Sequence, residues 1–184
     1  MKFFLGIEIA RSREGILMNQ RKFAMELITD LGMEGSKPVA TPMECNQRFT
    51  TAEYDQHLEL KDDEKLPDTG PYQRLVGKLP YLTMTRPDIC YAMHVLSQFM
   101  HCPKKSHIEA AVRVVRYIKG APGLGLLMSS KPCPKLTAFC DADWASCPVS
   151  RKSVTSLELF LLRVSVLAIA IAMLFWFLHR VRVS

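Results

Sequence analysis

The sequence holds no Cys-x-x-Cys pair, opens without a hydrophobic secretory run, and at 184 residues leaves no room for a second catalytic domain. The first absence argues against a zinc ribbon. The second points to a reducing compartment, because MKFFLG is too short to form the core of a secretory signal. The six cysteines (Cys45, Cys90, Cys102, Cys133, Cys140, Cys147) are therefore expected as free, largely buried thiols rather than three disulfides. His94, His101, Cys102 and His107 cluster in sequence without finger spacing and read as structural side chains, not metal ligands. Neither sign of charge prevails strongly: 24 Lys and Arg face 18 Asp and Glu, a net +6. With 48% apolar and 23% charged residues, collagen-like, low-complexity and wholly disordered chains are excluded. The mean hydropathy of +0.05 is nonetheless high for a soluble protein. It traces to the uncharged run from Val164 to Leu178.

What is present divides into five stretches, 1–34, 35–70, 71–134, 135–155 and 156–184. Residues 3–18 are two β-rich runs split by SREG, the pattern of a hairpin, with Ile7, Ile9, Ile16 and Met18 on its buried faces. From Asn19, an N-cap candidate, Phe23, Met25, Leu27, Ile28 and Leu31 recur at helical spacing until Gly32. Residues 35–70 carry scattered Pro and Gly with little periodicity and predict an extended surface connection. That connection is acidic: seven carboxylates against Lys61 and Lys65 between Glu53 and Asp68 give a local charge of −5, read as a solvated loop or, alternatively, a partner contact.

Three helices are predicted next, Pro71–Met84, Pro87–Met100 and Ser106–Lys119, forming a small antiparallel layer. In the third, Ile108, Ala111, Val112, Val115 and Ile118 make an apolar stripe, while Lys104, Lys105, Arg113, Arg116 and Lys119 lie on other faces. Short strands follow at Leu124–Met128 and Leu136–Cys140, the latter ending in Asp141.

Five phrases in fixed order then carry a resemblance: FLGIEIARSREGILMNQRKFAMELI, KPVATPME, YQRLVGKLPYLTMTRPDICYAMHVLSQFM, HIEAAVRVVRYIKGAPGLGLL and FCDADWAS. Together they strongly resemble the Pol polyprotein of copia-type LTR retrotransposons, over about Phe3 to Thr155. The resemblance implies an α+β chain running from the end of a reverse transcriptase palm, through thumb-like helices and a connection, into the first strand of RNase H. It also implies parent chemistry with two Mg²⁺ ions held by acidic clusters. The polymerase carboxylates of that family lie upstream of FLGIE, and beyond Ser156 the chain departs into a hydrophobic run. The expectation is a truncated remnant without catalysis or a cofactor of its own.

Asp141 stands where RNase H places its first metal-binding carboxylate, with Asp143 two residues on. One or two acids cannot hold both ions, so these read as relic ligands. Without the family they read as strand-end acids that cap a turn, with Trp144 as an aromatic anchor. Leu5 and Gly6 open a hairpin resembling the family's primer grip. The basic helix would in the parent enzyme contact template-primer phosphates. Its alternative reading is a solvated amphipathic face. Two positions depart from the family, Ser146 for Gly and Pro80 for an apolar residue. A proline inside a helix costs ~3 kcal/mol.

Residues 157–178 reach the ~20 residues a membrane-spanning helix needs, with Glu158 and Arg163 towards one end and Trp176, His179, Arg180 and Arg182 at the other. A C-terminal hydrophobic helix is expected, either spanning a membrane or marking an out-of-frame run. Partners follow from these readings: weak, non-specific nucleic acid, a membrane if the tail inserts, and no small-molecule substrate. Localisation is membrane in the inserted case and otherwise cytoplasmic or nuclear. The competing function is a tail-anchored protein that displays a domesticated binding domain.

Overall fold

A computed structural model describes residues 2–44, 47–58, 63–131, 137–143 and 154–160, the last two stretches by their backbone. Short apolar-rich runs build the first three strands, β1 (Lys2–Phe4), β2 (Ile7–Arg11) and β3 (Gly15–Asn19). With β4 (Gly125–Ser129) they form an antiparallel sheet in the order β1-β2-β3-β4. The SREG turn closes β2 on β3 with Arg11 opposite Ile16. Ile7, Ile9, Ile16 and Met18 fall on one face, as expected, although only Ile7 is buried and the others are half-buried. The extra strand β1 was hidden in the sequence by its two-residue turn. Leu5 and Gly6 both take positive φ (47° and 73°), the type I′ pattern that matches strand twist. A Cβ at Gly6 would also crowd the Tyr81 hydroxyl.

Helix α1 (Arg21–Asp30) buries Ala24, Leu27 and Ile28, while Met25 and Leu31 are exposed, against expectation. The predicted Asn19 cap is only partly right. Asn19 Oδ1 accepts from Arg21 N–H, but Gln20 is the cap residue, and Glu8 Oε1 of β2 takes the Lys22 N–H at 2.9 Å. A carboxylate from the neighbouring strand thus satisfies a donor at the positive end of the helix.

The connection is not wholly extended. It contains α2 (Ala52–His57), started by Thr51, whose side chain accepts from Tyr54 N–H. Then come α3 (Gly70–Leu82), a 3-10 turn at Pro87–Ile89 continuing into α4 (Cys90–Ser97), and α5 (Lys105–Gly120). The three predicted helices are all present, with the first two ending earlier than expected. Pro80 sits in the last turn of α3, two residues from its end, rather than in the interior. The core lies between α1, α3, α4 and α5, where Leu27, Tyr72, Leu79, Leu96, Val114 and Ile118 are at most 2% exposed and Phe49 of the connection closes one side. The fold is α+β, with five α-helices and a four-stranded sheet among the described residues.

Three further expectations are corrected or bounded. Cys90 and Cys102 form no disulfide, yet both are exposed rather than buried. His94 and His101 are exposed while His107 is fully buried, so the sequence cluster is not a spatial one. The first residues of the predicted hydrophobic helix, Leu157–Phe160, belong instead to strand β6 (Val154–Phe160), paired antiparallel with β5 (Thr137–Asp143). The run VTSLELF places Thr155, Ser156 and Glu158 among its apolar residues, and Val and Thr are β-branched, which suits a strand better than a spanning helix. Residues 161–178 lie outside the described residues, and among those described no helix is long and apolar enough to cross a membrane.

Candidate functional site

Helix α5 is where the basic residues gather, and every one of them has a partner within the chain. Lys119 Nζ donates to the carbonyls of Met33, Glu34 and Ser36, at 3.1 Å and 2.7 Å for the first and last. Arg116 Nε donates to Lys37 O at 2.7 Å. Arg113 reaches Glu44 Oε1 at 2.8 Å and Thr41 Oγ1 at 3.1 Å. Lys105 Nζ meets Glu64 Oε2 at 2.5 Å. Lys104 Nζ lies 2.5 Å from Asp55 Oδ2, 3.0 Å from Asp63 Oδ2 and 2.9 Å from Thr50 Oγ1. The partners ascend from 33 to 44 as the cations descend from 119 to 113, and residues 50–64 then partner Lys104 and Lys105. The connection therefore runs antiparallel to α5 and supplies an acceptor at each basic position.

The N-terminal end of α5 is the most constrained part. Asp63 accepts from both Ser106 N–H (3.1 Å) and Ser106 Oγ–H (2.6 Å), so it caps the helix from outside. Backbone bonds Leu66 N–H to Pro103 O and Lys105 N–H to Glu64 O, each 3.0 Å, lay the connection alongside residues 103–105. Lys104, with its side chain 3% exposed, is the one cation here that has no surface to offer an outside phosphate. Burial alone would raise the Asp55 carboxyl and lower the Lys104 ammonium. Their mutual hydrogen bond, with Thr50 on Asp55 and Asp63 on Lys104, outweighs burial, holding the acid below its usual range and the base above it. Asp63 is lowered likewise, because its bonds from Ser106 and Lys104 overcome its desolvation.

His107 completes this end. Its Nδ1 accepts from Lys104 N–H at 3.0 Å, which fixes the neutral ring with the proton on Nε2. The ring stacks on Phe99 with centroids 4.0 Å apart and meets Phe49 edge-on at 5.4 Å. Burial, reinforced by the nearby Lys104 charge, pushes its pKa down to about 4. Beside it an open cleft of about 470 Å³ is walled by Arg48, Phe49, Asp63, Lys104, Lys105 and Glu109.

At the other end of α5 the RPD phrase becomes a lock. Arg86, only 2% exposed, donates through Nε and Nη2 to Asp88 and through Nη1 to Ala121 O at 2.9 Å, just past the helix end. Its guanidinium lies over the Tyr117 ring, whose hydroxyl donates to Asp88 at 2.8 Å. Burial would raise the Asp88 carboxyl, but the Arg86 and Tyr117 hydrogen bonds hold it low. Reading the phrase as a separator of two helices captured its position and missed this role.

The proposed relic ligands Asp141 and Asp143 stand two apart on β5, on the same strand face, opposite Ser156 and Val154. Trp144 and Ser146 lie outside the described residues. Among the described residues no group of three or more His, Cys, Asp or Glu is placed to hold a metal ion. The residues that sequence reading missed are Asp55, Asp63, Glu64 and Glu44. Their signal was available as an acidic stretch and a basic helix of opposite sign within one short chain, though nothing local paired them.

No family model and no solved structure matches the chain. Among curated proteins, the retrovirus-related Pol polyprotein from transposon RE2 of Arabidopsis thaliana is 40% identical over 145 residues, which is 79% of this chain and 9% of that polyprotein. The corresponding polyprotein from transposon TNT 1-94 of Nicotiana tabacum is 32% identical over 82% of this chain and 11% of its own length. An uncharacterized mitochondrial protein of Arabidopsis thaliana is 37% identical over 161 residues, 86% of this chain and 62% of its own. The chain thus spans about a tenth of the transposon polyproteins it matches. On these similarities, together with the five ordered phrases, the chain belongs to the Pol polyproteins of copia-type retrotransposons and corresponds to a short segment of them.

Proposed function

We propose that this chain is a Pol-derived structural module, the stretch linking the end of a reverse transcriptase palm to the start of RNase H, without catalysis of its own. The observation that carries the reading is how its described buried and half-buried acids are used. Glu8 caps α1, Asp55 and Asp63 hold Lys104, and Asp88 holds Arg86. A two-metal site needs several carboxylates left unneutralised and convergent. Here these acids are committed to building the fold. Asp141 and Asp143 supply two acids on one strand, fewer than two ions require.

The test is direct. Purified chain is assayed for primer extension and for cleavage of the RNA strand of an RNA–DNA hybrid, with Mg²⁺ or Mn²⁺. Neither product is expected. RNA cleavage that disappears in Asp141→Asn would overturn the reading. The described residues carry no observation in favour of membrane anchoring as a second function.

A further inference from the structure

The cations of α5 form one face. At 100° per residue, Lys105, Arg113, Arg116 and Lys119 fall within an arc of about 120° and spread over about 21 Å of helix. Such a row matches a phosphate backbone in sign and reach. It is nevertheless occupied along its whole length by the chain's own acceptors: carbonyls at 33–37, Thr41 and Glu44, then Glu64. The occupants differ in strength. Lys119 and Arg116 are held by neutral carbonyls, whereas Arg113 and Lys105 are held by carboxylates that are themselves exposed: the side chains of Glu44 and Glu64 are 60% and 72% exposed. Exposed ion pairs contribute little net stability and exchange readily. Beneath them, buried Lys104 anchors Asp55 and Asp63 and fixes the course of the connection.

We propose that the acidic connection is an autoinhibitory strap, in which Glu44 and Glu64 stand in for phosphates on the cationic face of α5 and compete with an external nucleic-acid backbone for it. Binding is then set by displacement of exposed carboxylates, while Lys104 stays with Asp55 and is never a ligand contact. The inference does not depend on the absence of catalysis proposed above. A catalytically active chain would carry the same masked face.

The experiment uses the full chain and a fluorescent single-stranded DNA oligonucleotide, with anisotropy read across a salt series. The variant Glu44→Gln/Glu64→Gln removes the competing charge and leaves the Lys104 cluster and the Asp63 cap of α5 in place. Its affinity is expected to rise about fivefold or more at low salt. The log–log salt slope should steepen by about 0.7 for each additional phosphate engaged. Adding Arg113→Glu and Arg116→Glu should abolish the tighter binding. A folded double variant that binds no tighter, or an increase that survives the two charge reversals, overturns the proposal. Should the double variant fail to fold, Glu64→Gln alone decides, since it touches only an exposed pair. A two- to threefold rise supports the strap, and an unchanged affinity refutes it. An equal rise towards poly-glutamate would assign the face to acidic proteins and overturn the nucleic-acid reading.

Discussion

The helical layer and the four-stranded sheet treat their apolar residues differently. In the helices, Tyr72, Leu79, Leu96, Val114, Val115 and Ile118 are fully buried. In the sheet, Phe3, Phe4 and Leu127 are more than half exposed, and no strand residue belongs to the core cluster. The helices cover one another, so each apolar stripe finds its second layer within the chain. A sheet must borrow a layer. What joins this one to the helices includes two polar contacts, the Glu8 cap on α1 and the Tyr81 hydroxyl on Leu5 O. The helical part with its wrapped connection is therefore the self-sufficient unit, and the sheet is an appendage with apolar surface to spare.

The strongest way to break that contrast is at the buried ion cluster. Lys104→Met leaves Asp55 and Asp63 partly buried without their cation, and unpairing a buried charge costs about 3–5 kcal/mol. Chemical denaturation should register that loss. A Lys104→Met protein within about 1 kcal/mol of the parent, roughly the size of a surface change, would show the cluster to be peripheral. Next comes a matched pair of truncations. Leu79→Ala opens a cavity in the helical core and should cost about 2–5 kcal/mol. Leu127→Ala removes an apolar side chain that is already 53% exposed and should fall within about 0.5 kcal/mol. Equal losses would mean that the sheet carries as much of the stability as the helices.

These two regions also differ in how far the sequence revealed them. Helical periodicity located α1, α3, α4 and α5, because each stripe reports a face that local neighbours bury. The β2–β3 hairpin was legible from SREG between alternating runs. What escaped was non-local. Strand β1 depends on a positive-φ turn at Leu5, a residue that seldom adopts it. The short helix α2 has too few residues for a period to emerge. The basic face was visible, but its neutralisation was not, since Arg113 and Glu44 are 69 positions apart and Lys104 and Asp55 are 49 apart. Sequence proximity made a metal cluster of His94, His101, Cys102 and His107 worth weighing against structural roles, and only the fold shows that His107 alone of the four is buried.

A pH titration sharpens the contrast again, because the acid-sensitive groups sit at the two ends of α5, His107, Asp55 and Asp63 at one and Asp88 at the other, and none of those with a resolved shift lies on the sheet. His107 ordinarily titrates near 6.5 and in the fold near 4. Between these values the unfolded chain binds the proton and the folded chain does not. Stability therefore falls as pH drops from about 6.5 to about 4, by about 3 kcal/mol in all. His107→Gln retains an acceptor for Lys104 N–H and should flatten this window. Asp55 and Asp63 are depressed below their usual 3.8, so their contribution is intact above that value and is lost only as pH falls further. Two phases of acid unfolding are expected, and His107→Gln should remove the upper one alone. A single transition below about pH 4 in the parent chain would refute the assignment.

The smallest effect within the helical layer concerns Pro80, where that layer carries its own flaw. Lacking an N–H, the residue cannot donate to the Val76 carbonyl, the bond an α-helix would make there. In a helix interior this and the ring clash cost ~3 kcal/mol. Pro80 instead occupies the final turn of α3, where only Tyr81 and Leu82 follow before the Thr83 cap, and its carbonyl is taken by Thr83 N–H at 3.2 Å and Thr83 Oγ at 2.7 Å. Part of the cost is thus avoided by position. Pro80→Leu should restore the bond and stabilise the chain by about 1–2 kcal/mol, less than the interior figure. For a domain of this size that is a rise of roughly 2–8 °C in Tm, readable by calorimetry. A stabilisation of the full interior magnitude would mean that α3 is strained beyond its last turn. An unchanged Tm would mean that the partly buried ring at position 80 contributes packing equal to the missing hydrogen bond.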